Sequence, residues 1–446
     1  MVGDFRQELS RMTHPSFCED HKLASYWLDA APLAALPAGG LPAGTDVAVV
    51  GAGYTGLIAA LTCARAGRGV VVLDAEDAGF GCSTRNGGQC GAGFKIGFDE
   101  LAGRYGKPRA VALYHEALAS LEFLTGFVEA ESIACDYKHC GRFTGAHAPG
   151  HYEDMARKFD TNRRELGIEC HVVPRSQQHS EIGTDAYYGG GVIPGHTSLD
   201  PAKYHRGLVD RVLAADAAVH PHTPVVEIER NGGGGFTVTT PRGRLRAGAV
   251  VIATNGYTNK LGTLSDLSRR VIPIGSYMIA TEPLAPGVMD RLMPRDRVIT
   301  DTRRVVLYYR ASPDRSRILF GGRVALAESD PAISGPRLHA ILCRIFPEIG
   351  SLGISHSWMG FVAYTFDKLP HLGVRNGLHY AMGYCGSGIA MGSYLGYKIA
   401  HKLLGHGEGD TAFDDLPFQS RPFYHGKPWF LASAVAWYRL RDRMAR

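Results

Sequence analysis

No CxxC pair stands among the nine cysteines (residues 18, 63, 82, 90, 135, 140, 170, 343 and 385), and neither sign of charge dominates. No apolar run approaches the roughly 18 residues that a membrane-spanning helix needs. Each absence excludes a class of protein. An odd cysteine count without paired spacing argues against a disulfide framework and a zinc site, leaving reduced, mostly buried thiols and no expected metal. The N-terminus, with Asp4, Arg6, Glu8 and Arg11, lacks the apolar core of a signal peptide, so a soluble cytoplasmic protein is expected. The 48 basic and 43 acidic residues leave a formal charge of +5 spread along the chain. That gives no footprint for nucleic acid and is compatible with small anionic ligands. No internal repeat or low-complexity tract occurs.

What the 446 residues hold in quantity is glycine, 56 of them, and its placement carries the functional reading. Asp46-Val-Ala-Val-Val-Gly51-Ala-Gly53-Tyr54-Thr55-Gly56 is a buried apolar strand running into a glycine triad and then a helical pattern. Gly51 permits the tight turn, Gly53 lets a pyrophosphate approach the backbone, and Gly56 lets helix and strand pack closely. The helix start then offers unpaired N–H groups to the phosphate. Val70-Val-Val-Leu-Asp74 supplies a second strand ending in a carboxylate 23 positions after Gly51, where a ribose hydroxyl acceptor is expected. Gly79 to Gly93 follows at once and carries Arg85-Asn86-Gly87-Gly88-Gln89 beside the expected pyrophosphate. A third cluster, Gly383-Tyr384-Cys385-Gly386-Ser387-Gly388-Ile389-Ala390, precedes another helical pattern (Ile389, Leu395, Ile399, Leu403), so a second glycine-marked helix start is available to a ligand.

Between these clusters the pattern changes twice. Residues 1–44 form an arm rich in proline and glycine at its end, whose Ser25-Tyr26-Trp27 is expected to pack on the body. Val111 to Val128 and Met155 to Leu166 have helical spacing, and Asp200-Pro201 marks a helix start. Pro224–Glu229, Gly235–Thr240 and Ala249–Thr254 read as strands, the last a buried parallel strand whose Ala253-Thr254 end faces a ligand. Val271–Thr281, Arg304–Arg310 and Arg317–Gly321 read as an antiparallel sheet, followed by a helix near 336–346.

Taken together, the glycine motifs, Ala253-Thr254-Asn255-Gly256-Tyr257-Thr258, Val271-Ile-Pro-Ile-Gly-Ser-Tyr277, Phe320-Gly-Gly-Arg323, Asp367-Lys-Leu-Pro-His371-Leu-Gly373 and the tail Arg421-Pro-Phe-Tyr-His-Gly-Lys-Pro-Trp-Phe430 resemble one family. It is the D-amino acid oxidase-like family of FAD-dependent amine oxidoreductases, and within it the γ-glutamylputrescine oxidase-like branch. The resemblance implies an α/β fold: a glutathione reductase-like, Rossmann-type FAD-binding domain, discontinuous in sequence, plus a substrate domain with a mostly antiparallel sheet and flanking helices. The expected division is an arm at 1–44, the FAD-binding domain at 45–100, 187–260 and 355–415, the substrate domain at 101–186 and 261–354, and a tail helix at 416–446. FAD is implied rather than NAD, with adenine and ribose at Asp74 and Ala75 and pyrophosphate at Gly51, Gly53, Tyr54, Thr55 and Gly56. Further contacts are implied at Val226, Ala253 and Thr254. Flavin contacts are implied from Arg85, Asn86, Gly87, Gly88 and Gln89 and from Gly383, Gly386, Ser387, Gly388, Ile389 and Ala390.

Two departures from the family pattern bear on substrate. Relatives that oxidise small amino acids place a carboxylate-gripping arginine two positions after the glycine matched by Gly360, and this chain has Val362 there. Simple α-amino acids, sarcosine and glycine are therefore disfavoured as substrates. Cys385-Gly-Ser387 replaces a serine–histidine pair common in relatives, and no cysteine near 358–362 is placed to carry the flavin covalently, so FAD is expected to be noncovalent. The resemblance implies oxidation of a primary or secondary amine, with hydride passing to flavin N5, the imine hydrolysing to an aldehyde, and O2 returning H2O2. Two alternatives stand beside it, a dehydrogenase passing electrons to a quinone or carrier protein and a flavin-binding protein without redox role. Tyr277, Tyr309, Trp358 and Tyr384, with Tyr364 and His371, are the candidate pocket residues; none is assigned as an essential base, and His196 and His371 read as structural histidines. The tail has the aromatic and basic composition of a membrane-surface helix, and docking on the body is the favoured expectation.

Overall fold

The computed structural model describes residues 14–36, 39–260, 264–324, 326 and 328–444. Val47–Val50 and Val70–Leu73 are buried along their whole length, as continuous apolar runs are when a parallel sheet is covered on both faces. They lie side by side in a sheet whose parallel part runs Leu378–Met382, Gly243–Ile252, Gly44–Val50, Val70–Leu73, Ala218–His220. The strand Gly243–Ile252 is long enough to serve twice. Its first half pairs antiparallel with Phe236–Thr240, while its second half is clasped in parallel by its two neighbours. Because the parallel strands point the same way, Gly51, Asp74, Ala253 and Gly383 all emerge at one edge of the sheet. Open α/β sheets bind their ligands at that edge.

Helices Tyr54–Arg65 and Ala390–Leu404 pack on one face of this sheet, and Lys107–Ala130 covers Ala390–Leu404 in turn. Leu57, Leu61, Leu113, Leu121, Leu124, Leu395 and Ile399 share that core. Residues 107–130, expected in the substrate domain, thus belong by packing to the nucleotide-side core. The second sheet is nine-stranded and runs Phe17–Lys22, Ile354–Tyr364, Ile272–Thr281, Ile318–Gly322, Tyr308–Ala311, Val298–Asp301, Arg142–Gly145, Gly190–Ile193, His171–Val173. All its pairs are antiparallel except the first and the one joining Val298–Asp301 to Arg142–Gly145.

The pairing also decides which sheet each remaining strand joins. Gly190–Ile193 and Ile354–Tyr364, expected in the FAD-binding domain, are hydrogen-bonded into the second sheet. Phe17–Lys22 makes the arm an edge strand of that sheet, and Trp27, fully buried, donates its indole N–H to Asn86 O at 2.7 Å. The strand expected at Arg304–Arg310 begins only at Tyr308. Its first N–H groups are taken elsewhere: Arg304 N and Val305 N donate to the Asp442 carboxylate at 2.9 and 3.2 Å. Asp442 belongs to the tail helix Leu431–Met444, which docks on the body through this clamp. The helix expected near 336–346 spans Pro331–Ile345, capped by the Asp330 carboxylate in the same Asp-Pro arrangement that opens Pro201–Ala214.

A Cβ at Gly56 would stand 1.8 Å from Gly51 O. Gly56→Ala must therefore push helix and strand apart, and a loss of about 1–3 kcal/mol of stability is expected. Thermal melting would register it as a lowered Tm; an unchanged Tm would show that this contact does not constrain the fold.

Candidate functional site

The loops leaving the parallel strands and the face of the second sheet enclose one cavity of about 1090 Å³. That is the upper end of ordinary ligand pockets and suits an extended dinucleotide with a substrate beside it. One end forms around Gly51, whose φ of 108° only glycine adopts readily and whose missing side chain lets Ala253 O approach to 2.8 Å of the Cβ position. Asp74 closes this end. Its carboxylate accepts from Ala52 N at 2.7 Å and Glu76 N at 3.1 Å, so it holds the triad loop and faces the cavity at once. Burial pushes its carboxyl up, against the backbone N–H groups that draw it down.

Gly51, Gly53, Tyr54, Thr55, Asp74, Ala75, Val226, Ala253 and Thr254 line this cavity, together with Arg85, Asn86, Gly87, Gln89, Gly386, Gly388 and Ile389. Gly56, Gly88, Gly383, Ser387 and Ala390 stand behind that wall among the described residues; Gly56 spaces helix from turn, and Ser387 Oγ donates to Gly93 O at 3.1 Å. The 82–89 loop is self-supporting. Asn86 donates to Cys82 O and Ser83 O and accepts from Gly88 N, while Gln89 donates to Ile299 O and Tyr309 O across on the second sheet. Arg85 already spends Nε on Phe80 O at 2.7 Å and Nη1 on Met359 O at 3.3 Å. Its guanidinium is thereby fixed in the wall. Thr55 and Tyr384 join the two glycine-marked helix starts by a hydroxyl–hydroxyl bond of 2.7 Å. Both starts carry backbone N–H groups without intrahelical partners.

The candidate pocket aromatics fall into two groups. Tyr384 and Tyr364 line the cavity; Tyr277, Tyr309, Trp358 and His371 do not. Tyr277 turns to the other face, donating to Glu328 Oε2 at 3.0 Å and accepting from Ser329 N at 2.8 Å. Tyr309 is core and hydrogen-bonds the Tyr187 hydroxyl at 2.8 Å. Trp358 donates to Arg85 O at 2.9 Å and so supports the loop from behind. His371 pairs with Asp367 at 3.0 Å and stacks on Phe418, a structural arrangement. His196 is buried, and burial, helped by the Arg142 charge, lowers its pKa to about 3.

The wall that Tyr309 was expected to make is made by Tyr308. Its ring lies against the bare backbone of Gly87 and Gly321, and its hydroxyl bonds Ser276 Oγ at 2.9 Å. Burial raises the phenol pKa well above its ordinary value, so it is a neutral donor or acceptor and no base at neutral pH. The glycine of Phe320-Gly-Gly322 was the available signal, because a ring needs a bare backbone opposite it. Tyr308 stands in the sequence beside Tyr277 and Tyr309 as an aromatic of a sheet that could wall a pocket; sequence reasoning missed Lys95, Arg142, Ser276 and the tail residues Phe430, Leu431, Val435 and Tyr438, all of which line the cavity. Asp74 and Glu76 are the only carboxylates in its lining among the described residues.

A family described as DAO, FAD dependent oxidoreductase, matches residues 46–402. Among curated proteins the chain is similar to a probable oxidoreductase OrdL of Rhizobium meliloti, 31% identical with 89% of this chain and 92% of that one covered. It is similar also to the gamma-glutamylputrescine oxidoreductase of Escherichia coli, 29% identical with 90% and 93% covered. Among solved structures, glycine oxidase from Geobacillus kaustophilus superposes with a TM-score of 0.71 at 22% identity, over 85% of this chain and 99% of that one.

Asp74→Ala removes the acceptor of the Ala52 N–H and a cavity carboxylate together. It should weaken dinucleotide binding by about 1–3 kcal/mol, roughly 10- to 100-fold. Titration of apoprotein, followed by quenching of FAD fluorescence, reads this directly, and an unaltered Kd would remove Asp74 from the site.

Proposed function

The chain belongs to the DAO family of FAD-dependent oxidoreductases, and from that premise we propose that it oxidises a primary or secondary amine of the γ-glutamylputrescine or N-substituted amino compound kind, with O2 as electron acceptor. The observation that carries this reading is the continuity of one cavity, from the Gly51–Gly53 turn through the Gly386–Ile389 helix start to the Tyr308 face of the second sheet. The residues suit FAD on grounds of their own: two glycine turns bring backbone N–H groups into the cavity, and a carboxylate stands at the end of the second strand.

When bound, FAD would supply the two-electron oxidation of the C–H bond beside the amine nitrogen, and water would then cleave the imine to a carbonyl compound and ammonia from a primary amine, or a smaller amine from a secondary one. The chain's part is to position and to exclude charge. Tyr308, Ser276, Ile274, Val362 and Tyr364 line the chamber with neutral side chains, so no carboxylate there holds an ammonium. An amine entering it is favoured in the neutral form, with its lone pair free. The start of Ala390–Leu404 sets its positive dipole end toward the cavity and stabilises negative charge there, by about 0.3–1 kcal/mol when exposed and more when buried. Cys82 and Cys385 also face the cavity, and burial pushes both thiols up to about 11, so neither is a thiolate able to attack a ligand at neutral pH.

Two outcomes are expected of the purified yellow protein. Acid precipitation should release all of its FAD into the supernatant; a pellet that keeps the colour would contradict noncovalent binding. In an anaerobic screen of amines and γ-glutamylated polyamines, at least one compound should bleach the flavin band, and air should then restore it with one H2O2 per turnover. Bleaching reversed only by a dye or quinone would replace the oxidase by a dehydrogenase, and bleaching by no amine would overturn the reading.

A further inference from the structure

Two cations inside the cavity have no counter-charge. Lys95 follows the 89–93 loop and brings its ammonium beside Gly386, where a Cβ would stand 3.4 Å from Cε and 3.9 Å from Nζ. Arg142 opens the strand Arg142–Gly145 and sets its guanidinium beside Gly91, whose Cβ position is 3.2 Å from Nη2. Ser387 Oγ ties Gly93 to the 386–388 turn, so both cations reach the same end of the cavity. Arg142 is half-buried, and Lys95 is exposed, its side chain lining the cavity.

Neither side chain makes a hydrogen bond or ion pair among the described residues, and Arg142 Nε and His196 Nδ1 are buried without a partner. Three other arginines of the wall are engaged, Arg85 with two carbonyls, Arg303 with Asp301 and Arg323 with Glu328, and Arg304 is exposed. Loss of solvent around the ammonium, then Arg142 and Lys158 of the same sign, draw the Lys95 pKa down, with Cys385 acting against them. Two like charges lining one end of a cavity repel each other, and an anion between them relieves that repulsion.

We propose that Arg142 and Lys95 form an anion subsite of the cavity that takes a carboxylate of the substrate, so that the amine oxidised is one bearing a carboxyl group. Arg142 offers the planar fork that matches two carboxylate oxygens, and Lys95 adds a point charge. Val362 makes an apolar wall where relatives place their arginine, and the grip comes instead from the first strand residue at 142 and the 91–95 loop. The disfavouring of amino acids drawn from Val362 thus covers one wall only. This inference rests on the amine-oxidising reading of the cavity.

The test uses oxidised, FAD-loaded protein titrated with acetate and with benzoate, followed by the difference spectrum of the flavin band. Wild type should give a saturable change, at least tenfold weaker in Arg142→Met and in Lys95→Met, partly recovered in Arg142→Lys, and kept in Arg304→Met, whose cation stands exposed at the mouth. Without ligand, Lys95→Met should melt no lower than wild type, because it removes an uncompensated charge, whereas a purely structural lysine would lower the Tm. In turnover, both methionine variants should lose the kcat/KM preference for a carboxylated amine over its decarboxylated counterpart. No spectral change with either carboxylate would overturn the subsite, as would an unaltered affinity in both variants; a shift of flavin reduction potential in Lys95→Met without carboxylate binding would assign the cations to the cofactor instead. The two readings fail separately: carboxylates that bind where no amine bleaches the flavin refute the oxidation, and amines that bleach it where no carboxylate binds refute the subsite.

Discussion

Backbone pressed against backbone is the constraint from which the site follows. Gly51 O lies where a side chain on Gly56 would have to be, Ala253 O lies against Gly51, and Thr55 O lies 2.5 Å from the Cβ position of Gly396. Helix Tyr54–Arg65 is thereby held between the strand that precedes it and the helix Ala390–Leu404, which is separated from it by more than three hundred residues of chain. Native interiors are dense enough that such contacts leave a single arrangement. Two helix starts are fixed side by side, and the Thr55–Tyr384 hydrogen bond closes the seam between them.

The second sheet turns this nucleotide cradle into a reaction chamber. Tyr308 faces the cavity, while its neighbour Tyr309 packs in that sheet's own core. The 82–89 loop sits between the two sheets and is gripped by both: Trp27 and Trp358 hold its carbonyls, and Gln89 reaches the sheet. Beyond Asp74 and Glu76 the described residues put no carboxylate in the lining, and a helix dipole together with lining cations stabilises negative charge and disfavours ammonium ions. That electrostatic asymmetry is what an enzyme acting on the neutral form of an amine requires.

The nucleotide half was largely legible in the sequence, because its signals are local. A glycine triad between an apolar strand and a helix, and a carboxylate closing the next strand, depend on neighbours a few residues away. The substrate half was legible only as a class of sheet. Whether Tyr308 or Tyr309 faces the cavity is a matter of strand parity, which is set by pairing with Ile318–Gly322 and by where the strand begins. That beginning is displaced by Asp442, 138 positions from Arg304. The sheet to which a strand belongs was hidden for the same reason: Gly190–Ile193 and Ile354–Tyr364 look like strands of either sheet until their partners are known. Lys95 and Arg142 carried no local signal at all, since an unpaired cation is recognised only by what does not surround it.

The central claim is that the three glycine-lined loops hold one FAD with its ring end in the chamber under Tyr308. A crystallographic map of the yellow protein tests this most directly. The account predicts one dinucleotide per chain, its adenosine end at Asp74 and Val226 and its flavin ring between the Gly386–Ile389 turn and the Tyr308 face. Density for the ring at the Asp74 end, or for a dinucleotide outside this cavity, would contradict it.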